Sequence, residues 1–314
     1  MYPAQFGRIY LAVLPMVFLK VRRSERRAYV LIQEEIELLS PAGERLYALQ
    51  WLPQEEPPRA VICLVHGMGE HTGRYKGVAA AMTAAGFGVL TYDQRGHGRS
   101  PGKRGHTNSI AQLTEDAKGL VDLAVDRYPE LPRVLYGHSM GGNVALNCAL
   151  QRQPKIDALV LTSPWLRLAF NPPRAKQLVG QAMAAIWPSF TLSTGLEDDT
   201  LENRKGELPP LADDKLAHDR ISAKMYFGLT SEGEWAINNA AAKLTCPLLL
   251  MHGNADNITS YAASEELAKS LNGRCTFVPW PGGKHVLHNE HDGDKMLAIV
   301  ADWITTTLTL TTQH

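Results

Sequence analysis

Arg133-Val134-Leu135-Tyr136-Gly137-His138-Ser139-Met140-Gly141-Gly142-Asn143-Val144-Ala145-Leu146 is the stretch on which the reading turns. A short apolar run leads into Gly-x-Ser-x-Gly, and a helical pattern follows at once. In that context a loose five-residue match becomes a strand–turn–helix elbow with a serine at its apex. The turn is sharp, so its hydroxyl stands clear of the sheet, and the flanking glycines keep side chains from colliding where strand meets helix. The new helix also aims its first amides at the space beside the hydroxyl. The plain alternative is a turn with an incidental serine; the two flanks together favour Ser139 as a nucleophile.

Working outward, strands and helices alternate on both sides of the elbow. Residues 60–65 form an uninterrupted apolar run, as a strand buried on both faces requires. A helix is expected at 76–85, a strand at 87–92, a helix at 111–128 and a strand at 158–162. Upstream, 33–39 and 45–51 flank a Pro-Ala-Gly turn and read as a hairpin. The alternation predicts an α/β fold with a mostly parallel central sheet flanked by helices. It stops after Ser163-Pro164, and about 165–243 shows helical segments but no clear strand, so it reads as an inserted helical cap. Within it, 175–187 carries Leu178, Val179, Ala182, Met183, Ile186 and Trp187 as one apolar stripe, expected either to pack on the core or to line a tunnel. A helix is expected at 217–229. The sheet pattern resumes at 247–251 and 276–278, with helices at 264–271 and 294–306.

A serine hydroxyl needs a base within hydrogen-bond reach, and the base needs an orienting carboxylate. Asp256 follows the 247–251 strand and His285 follows the last strand, at the edge where such sheets present functional groups. Asp213, Asp214, Asp292 and Asp294 compete for the acid role, and His288 and His291 for the base. Asp213 and Asp214 lie in the insertion, Asp292 and Asp294 lie beyond the histidine, and His288 and His291 sit further from the strand end. The backbone N–H of Met140, next to the nucleophile, is one oxyanion donor. The other is expected from Met68 in the His66-Gly67-Met68-Gly69 loop after the first parallel strand.

Composition excludes other classes. Lys+Arg and Asp+Glu both number 32 in 314 residues, so no net field draws the chain to nucleic acid. No His/Cys/Asp cluster has metal spacing and no dinucleotide fingerprint is present, so no cofactor is implied. Cys63, Cys148, Cys246 and Cys275 fall in apolar runs without a C-x-x-C pair, which points to buried thiols and a reducing, cytoplasmic compartment. Residues 1–28 read as an N-terminal extension and 29–314 as the catalytic domain. The extension's apolar stretch at 9–19 is too short to span a bilayer. With the basic residues Lys20, Arg22, Arg23, Arg26 and Arg27 after it, it suits either a loosely packed tail or a segment resting on an anionic membrane.

The motifs HGMGEHTGRY (66–75), YDQRGHGRS (92–100), GHSMGG (137–142), MHGNAD (251–256) and GGKHVLHNE (282–290), in that order, resemble the monoacylglycerol lipase and lysophospholipase-like branch of the α/β-hydrolases. The resemblance covers about 33 to the C-terminus and is weakest in the insertion. It implies an α/β-hydrolase fold and ester hydrolysis, with Ser139 as nucleophile, Asp256 as acid, His285 as base, and Met68 and Met140 at the oxyanion. It also implies a cap over an acyl tunnel, a small-molecule ester of a medium- or long-chain acyl group (monoacylglycerol or lysophospholipid) as substrate, and Glu70, Arg74 and His288 near the alcohol pocket. Two positions depart from the mammalian pattern: Met68 replaces an alanine, and Thr259 replaces a cysteine near the acid. A general carboxylesterase and a non-catalytic binding protein on the same fold are the remaining alternatives.

Overall fold

The computed structural model describes residues 32–171, 174–195 and 213–311; the N-terminal extension and residues 196–212 of the insertion lie outside them. An eight-stranded sheet is built from β1 (Ile32–Leu39), β2 (Arg45–Leu52), β3 (Val61–Val65), β4 (Gly88–Tyr92), β5 (Arg133–His138), β6 (Ala158–Thr162), β9 (Leu248–Gly253) and β10 (Cys275–Trp280). Their order is β1-β2-β4-β3-β5-β6-β9-β10. β2 runs antiparallel to both β1 and β4, and every other neighbouring pair is parallel.

Two apolar layers sandwich this sheet, and the strands divide their side chains between them by simple alternation. On β3, Val61, Cys63 and Val65 enter one layer while Ile62 and Leu64 enter the other. The first layer is closed by α2 (Ile110–Arg127), α3 (Met140–Gln151), α5 (Ala223–Lys243) and α6 (Tyr261–Ser270). The second is closed by α1 (Lys76–Ala84) and α7 (Gly293–Thr311). With both faces covered, the central strands are apolar throughout. Ser109, Ser222 and Ser260 cap α2, α5 and α6, each accepting the N–H three residues on. The four thiols are free, and burial pushes that of Cys63 up to about 12.

The inserted region differs from its sequence reading in two ways. The helix expected at 217–229 starts only at Ala223. Arg220–Ser222 forms a short strand, β8, paired antiparallel with β7 (Thr191–Ser193). Three-residue strands are too short to show a period of two. The second difference concerns α4 (Arg174–Ile186), whose apolar stripe, among the described residues, neither packs on the core nor is enclosed. Leu178, Val179, Ile186 and Trp187 are 67%, 64%, 82% and 54% exposed. The helix instead meets α5 on another side, where Gly180 lies close to the Phe227 ring. Among the described residues no helix is long and apolar enough to cross a membrane.

Candidate active site

The elbow is strained as its sequence requires. Ser139 adopts φ 54° and ψ −120°, a left-handed conformation rare for a residue with a Cβ. Its backbone is tied down on both sides: its N–H donates to Thr162 O (3.0 Å), and its carbonyl accepts from Trp165 N (2.9 Å) and Gly142 N (2.9 Å). A Cβ at Gly137 would collide with the Gly141 carbonyl, and one at Gly141 with the Val65 carbonyl. Those close approaches are what let α3 start directly against β3 and β5.

The three residues expected from the sequence converge from three strand ends. Ser139 Oγ lies 2.8 Å from His285 Nε2, and His285 Nδ1 lies 2.8 Å from Asp256 Oδ2. All three are buried. Because Nδ1 faces a carboxylate, it carries the proton, leaving Nε2 to accept from the serine hydroxyl. The loops bearing acid and base are stitched together, with Ala255 N donating to Gly283 O at 3.0 Å. Asp256 Oδ1 accepts from the backbone N–H groups of Ile258 (2.7 Å) and Thr259 (3.0 Å). Oδ2 also receives Thr259 Oγ1 (2.8 Å) and His252 Nε2 (3.1 Å). Burial alone would raise this carboxyl, but His285 and His252 together hold it well below the usual carboxylate range.

Of the competing acids and bases, His288 lies close by, against the His138 ring, and hydrogen-bonds to neither Ser139 nor Asp256 among the described residues. Asp214 meets His71, Asp292 pairs with Lys295, and His291 is exposed. The Met68 loop abuts the serine: a Cβ on Gly67 would sit 3.3 Å from Ser139 Cβ. The N–H groups of Met68 and Met140 donate to no acceptor among the described residues, which leaves both available to an oxyanion.

Glu70, Arg74 and His288 are gathered beside this loop, each in its own setting. Glu70 Oε2 accepts from Gly67 N (2.9 Å) and from the Tyr75 hydroxyl (2.7 Å), so the carboxylate braces the loop that carries Met68. Burial pushes the Glu70 carboxyl up, but His138, Arg74 and His288 more than offset this, and it settles at about 2. Arg74 Nε lies 3.9 Å from Glu70 Oε1 and Arg74 Nη1 3.4 Å from Asp214 Oδ2. His288 is buried against the Tyr75 and His138 rings, 5.2 Å from each, and its Nδ1 meets no partner among the described residues. Burial pulls its imidazole down to about 4, against Glu70's opposing effect.

Three side chains around the triad escaped the sequence reading. His252 and Ser264 stand behind Asp256, and Tyr75 stands behind Glu70. His252 lies only four residues before Asp256 in the same HGNAD run, the one signal that marked it.

A buried Ser–His–Asp set on an elbow, at the carboxyl edge of a mostly parallel sheet, defines an α/β-hydrolase. The chain belongs to the family described as serine aminopeptidase, S33, whose model matches residues 56–292. Within the α/β-hydrolases it falls in the monoacylglycerol lipase-like branch. It is 31% identical to a monoacylglycerol lipase of Mycolicibacterium smegmatis, over 83% of this chain and 93% of that one. A phospholipase of Bacillus subtilis is 30% identical over 76% of this chain and 93% of its own length. The crystal structure of a monoacylglycerol lipase from Paleococcus ferrophilus superposes with a TM-score of 0.73 at 32% identity, covering 83% of this chain and 99% of that one. An uncharacterized abhydrolase domain-containing protein of Dictyostelium discoideum is 31% identical over 85% of this chain, which spans 28% of that longer protein.

Proposed function

We propose that the protein is a serine hydrolase that cleaves monoacylglycerols of medium or long acyl chain through an acyl-enzyme on Ser139. The observation that carries this is the unbroken Ser139–His285–Asp256 chain, with 2.8 Å at each link. His285 takes the hydroxyl proton as Ser139 Oγ attacks the ester carbonyl. Asp256, ionised and immobile, stabilises the resulting imidazolium. The Met68 and Met140 N–H groups receive the developing oxyanion. His285 then gives its proton to the leaving alkoxide, and water repeats the sequence on the acyl-enzyme.

The lipid substrate is supported by the monoacylglycerol lipases among the relatives. On the alcohol side, His288 offers a buried ring nitrogen suited to a glycerol hydroxyl, with Glu70 and Arg74 forming the polar wall behind it. We take 29–314 as one domain; of the 165–243 insertion, α5 packs on the sheet with α2, α3 and α6, so the cap is the part that precedes it. A lysophospholipase reading is favoured by the Bacillus subtilis relative. Against it, the Arg74 guanidinium already faces Glu70 and Asp214 and is poorly placed to receive a phosphate. The same carboxylate argues against aminopeptidase activity: Glu70 is matched by two donors and faced by a cation, so a peptide's ammonium gains little there.

The exposed apolar residues Leu178, Val179, Ile186 and Trp187 on the cap suit contact with the lipid surface on which such substrates reside. The function is tested by kcat/KM on a monoacylglycerol, the matching lysophospholipid and the matching triacylglycerol. Monoacylglycerol should be the best of the three. A preference for triacylglycerol, or for acetyl over decanoyl esters, would overturn the reading.

A further inference from the structure

His252 is fully buried at the end of β9, four residues before the acid, and nothing in the mechanism above uses it. Its contacts fix where its proton sits. Nε2 faces two acceptors, Asp256 Oδ2 at 3.1 Å and the Thr259 carbonyl at 3.3 Å. Nδ1 faces the Ser264 hydroxyl at 2.7 Å. A carbonyl and a carboxylate can only accept, so Nε2 carries the proton, and Ser264, on α6, donates its hydroxyl hydrogen to Nδ1. The line Ser264 Oγ–H to His252, then His252 Nε2–H to Asp256, ends on the same oxygen that receives His285 Nδ1–H.

We propose that His252, set by Ser264, is a positioning residue for the hydrolysis: it fixes Asp256 Oδ2 in the His285 plane and tempers the charge that His285 feels. The reasoning is electrostatic. A buried carboxylate that shares its charge with a second N–H donor is a weaker acceptor toward the first. Without the His252 donor, more negative charge concentrates toward His285, and the imidazolium is held more tightly. The base would then be protonated over a wider pH range and would release its proton to the leaving group less readily. Rotation of the carboxylate is also restrained. Oδ1 is pinned by two backbone N–H groups, and Oδ2 by His252 as well as by His285. The other titratable groups near His285 are His138, 5.1 Å away ring to ring, and His288, with Glu70 behind them. None of these touches His252, so a change at His252 reaches His285 through Asp256.

This rests on Asp256 being the acid of the triad, and the experiment separates the two claims. Parent, His252→Leu, His252→Gln and Ser264→Ala are compared by kcat, KM and the pH profile of kcat/KM. Each rate is expressed per active site titrated with a fluorophosphonate. His252→Leu removes the donor at similar volume and should lower kcat about 10-fold or more, with KM within about twofold. Its acid limb should move to higher pH, by about half a unit. His252→Gln presents an amide N–H near the Nε2 position and should restore both parameters to within about threefold of the parent. Ser264→Ala removes the hydrogen bond that holds the His252 ring at Nδ1 and should shift the limb in the same direction as His252→Leu, though less. A merely structural role would lower the melting temperature and the fraction titrated, while leaving kcat per site and the acid limb where they were. That result overturns the proposal, as does a His252→Gln variant as impaired as His252→Leu. If His252→Leu does not fold, the Gln and Ala variants decide by the same two parameters. Should Asp256→Asn keep parental activity, the triad reading fails instead, whatever His252 does.

Discussion

Asp256→Asn isolates the charge of the acid from its shape, and the structure dictates which way the new side chain must face. The backbone N–H groups of Ile258 and Thr259 donate to Oδ1 at 2.7 and 3.0 Å and cannot reverse their polarity. The carboxamide must therefore turn its oxygen to them. Its NH₂ then takes the Oδ2 position, 2.8 Å from His285 Nδ1, where a proton now stands opposite a proton. The imidazole relieves this by moving its proton to Nε2, so that Nδ1 accepts. Nε2 now donates toward Ser139 Oγ and can no longer take its proton. The loss should be roughly 10⁴ in kcat, about 5.5 kcal/mol of transition-state stabilisation. The N–H of His252 and the hydroxyl of Thr259 also lose this acceptor, but the Thr259 and Ser163 carbonyls remain 3.3 and 3.1 Å from them, so the stability cost stays below the roughly 1–3 kcal/mol of a fully unmatched buried donor. The assay is kcat/KM on a medium-chain monoacylglycerol, with a thermal melt to confirm that the protein remains folded. Asp292→Asn and Asp294→Asn serve as controls and should behave like the parent. A folded Asp256→Asn protein within a hundredfold of parental activity would refute the tautomer argument and with it the assignment of the acid.

Ser139→Ala should remove fluorophosphonate labelling and lower kcat by roughly 10⁴–10⁶ with the fold intact, and retention of more than a few per cent of activity would displace the nucleophile. Ile186→Asp, at a site 82% exposed, should leave the melting temperature and acetyl-ester hydrolysis unchanged while weakening partition onto phospholipid vesicles; equal loss on every substrate would speak against interfacial contact. Glu70 is depressed to about 2 when folded, so its stabilisation is fully present above its unfolded value and is lost as pH falls toward 2. Its contribution is on the order of 3 kcal/mol. Glu70→Gln should therefore flatten the acid limb of the stability curve, measured by denaturant unfolding below pH 5. His288 is also depressed, to about 4, so the unfolded chain takes up a proton first as pH drops below the ordinary histidine value. That removes stability between roughly pH 6.5 and 4, by about 2 kcal/mol at pH 5, and His288→Gln should recover it.

Local patterns made the elbow, the strand ends and the triad legible. Gly137 and Gly141 announce a close approach that only glycine permits, and the apolar runs before Ser139 and Asp256 announce buried parallel strands. The missing parts depend on partners distant in the chain. β7 and β8 are three residues each and pair across a long separation, so neither carries a readable period. Glu70 is a separate case: its partners Gly67 N and the Tyr75 hydroxyl are only three and five residues away, but an irregular turn brings them to it, and that turn carries no readable period. The α4 stripe has the periodicity of a buried helix face, yet it is left open. Periodicity identifies an apolar face but not what covers it.

The tie between cap and oxyanion loop yields the sharpest remaining expectation. Gly69, next to Met68, sits at φ +75°, and its carbonyl accepts from His218 N at 2.9 Å. A few residues away, Asp214 Oδ2 accepts from His71 Nε2 at 2.9 Å. His218 Nδ1 accepts from Arg220 N, so its proton lies on Nε2 and is donated to the Gly96 carbonyl at 3.0 Å. The short run 214–218 thus fastens the insertion to the loop that carries the Met68 N–H. A Cβ at Gly69 would collide with the His218 carbonyl, so Gly69→Ala must push the loop and the cap apart. Displacing one oxyanion donor costs roughly 10²–10³ in kcat, which is the loss expected. Backbone strain alone would not explain it, because the left-handed conformation costs an alanine only about 1–2 kcal/mol of stability. Gly43 supplies the control: it has φ +78°, with nothing near its Cβ position, in the turn between β1 and β2. Gly43→Ala carries the same strain without the collision and should lose stability but keep kcat. If Gly69→Ala also keeps kcat within tenfold of the parent, the cap does not hold the Met68 loop in position.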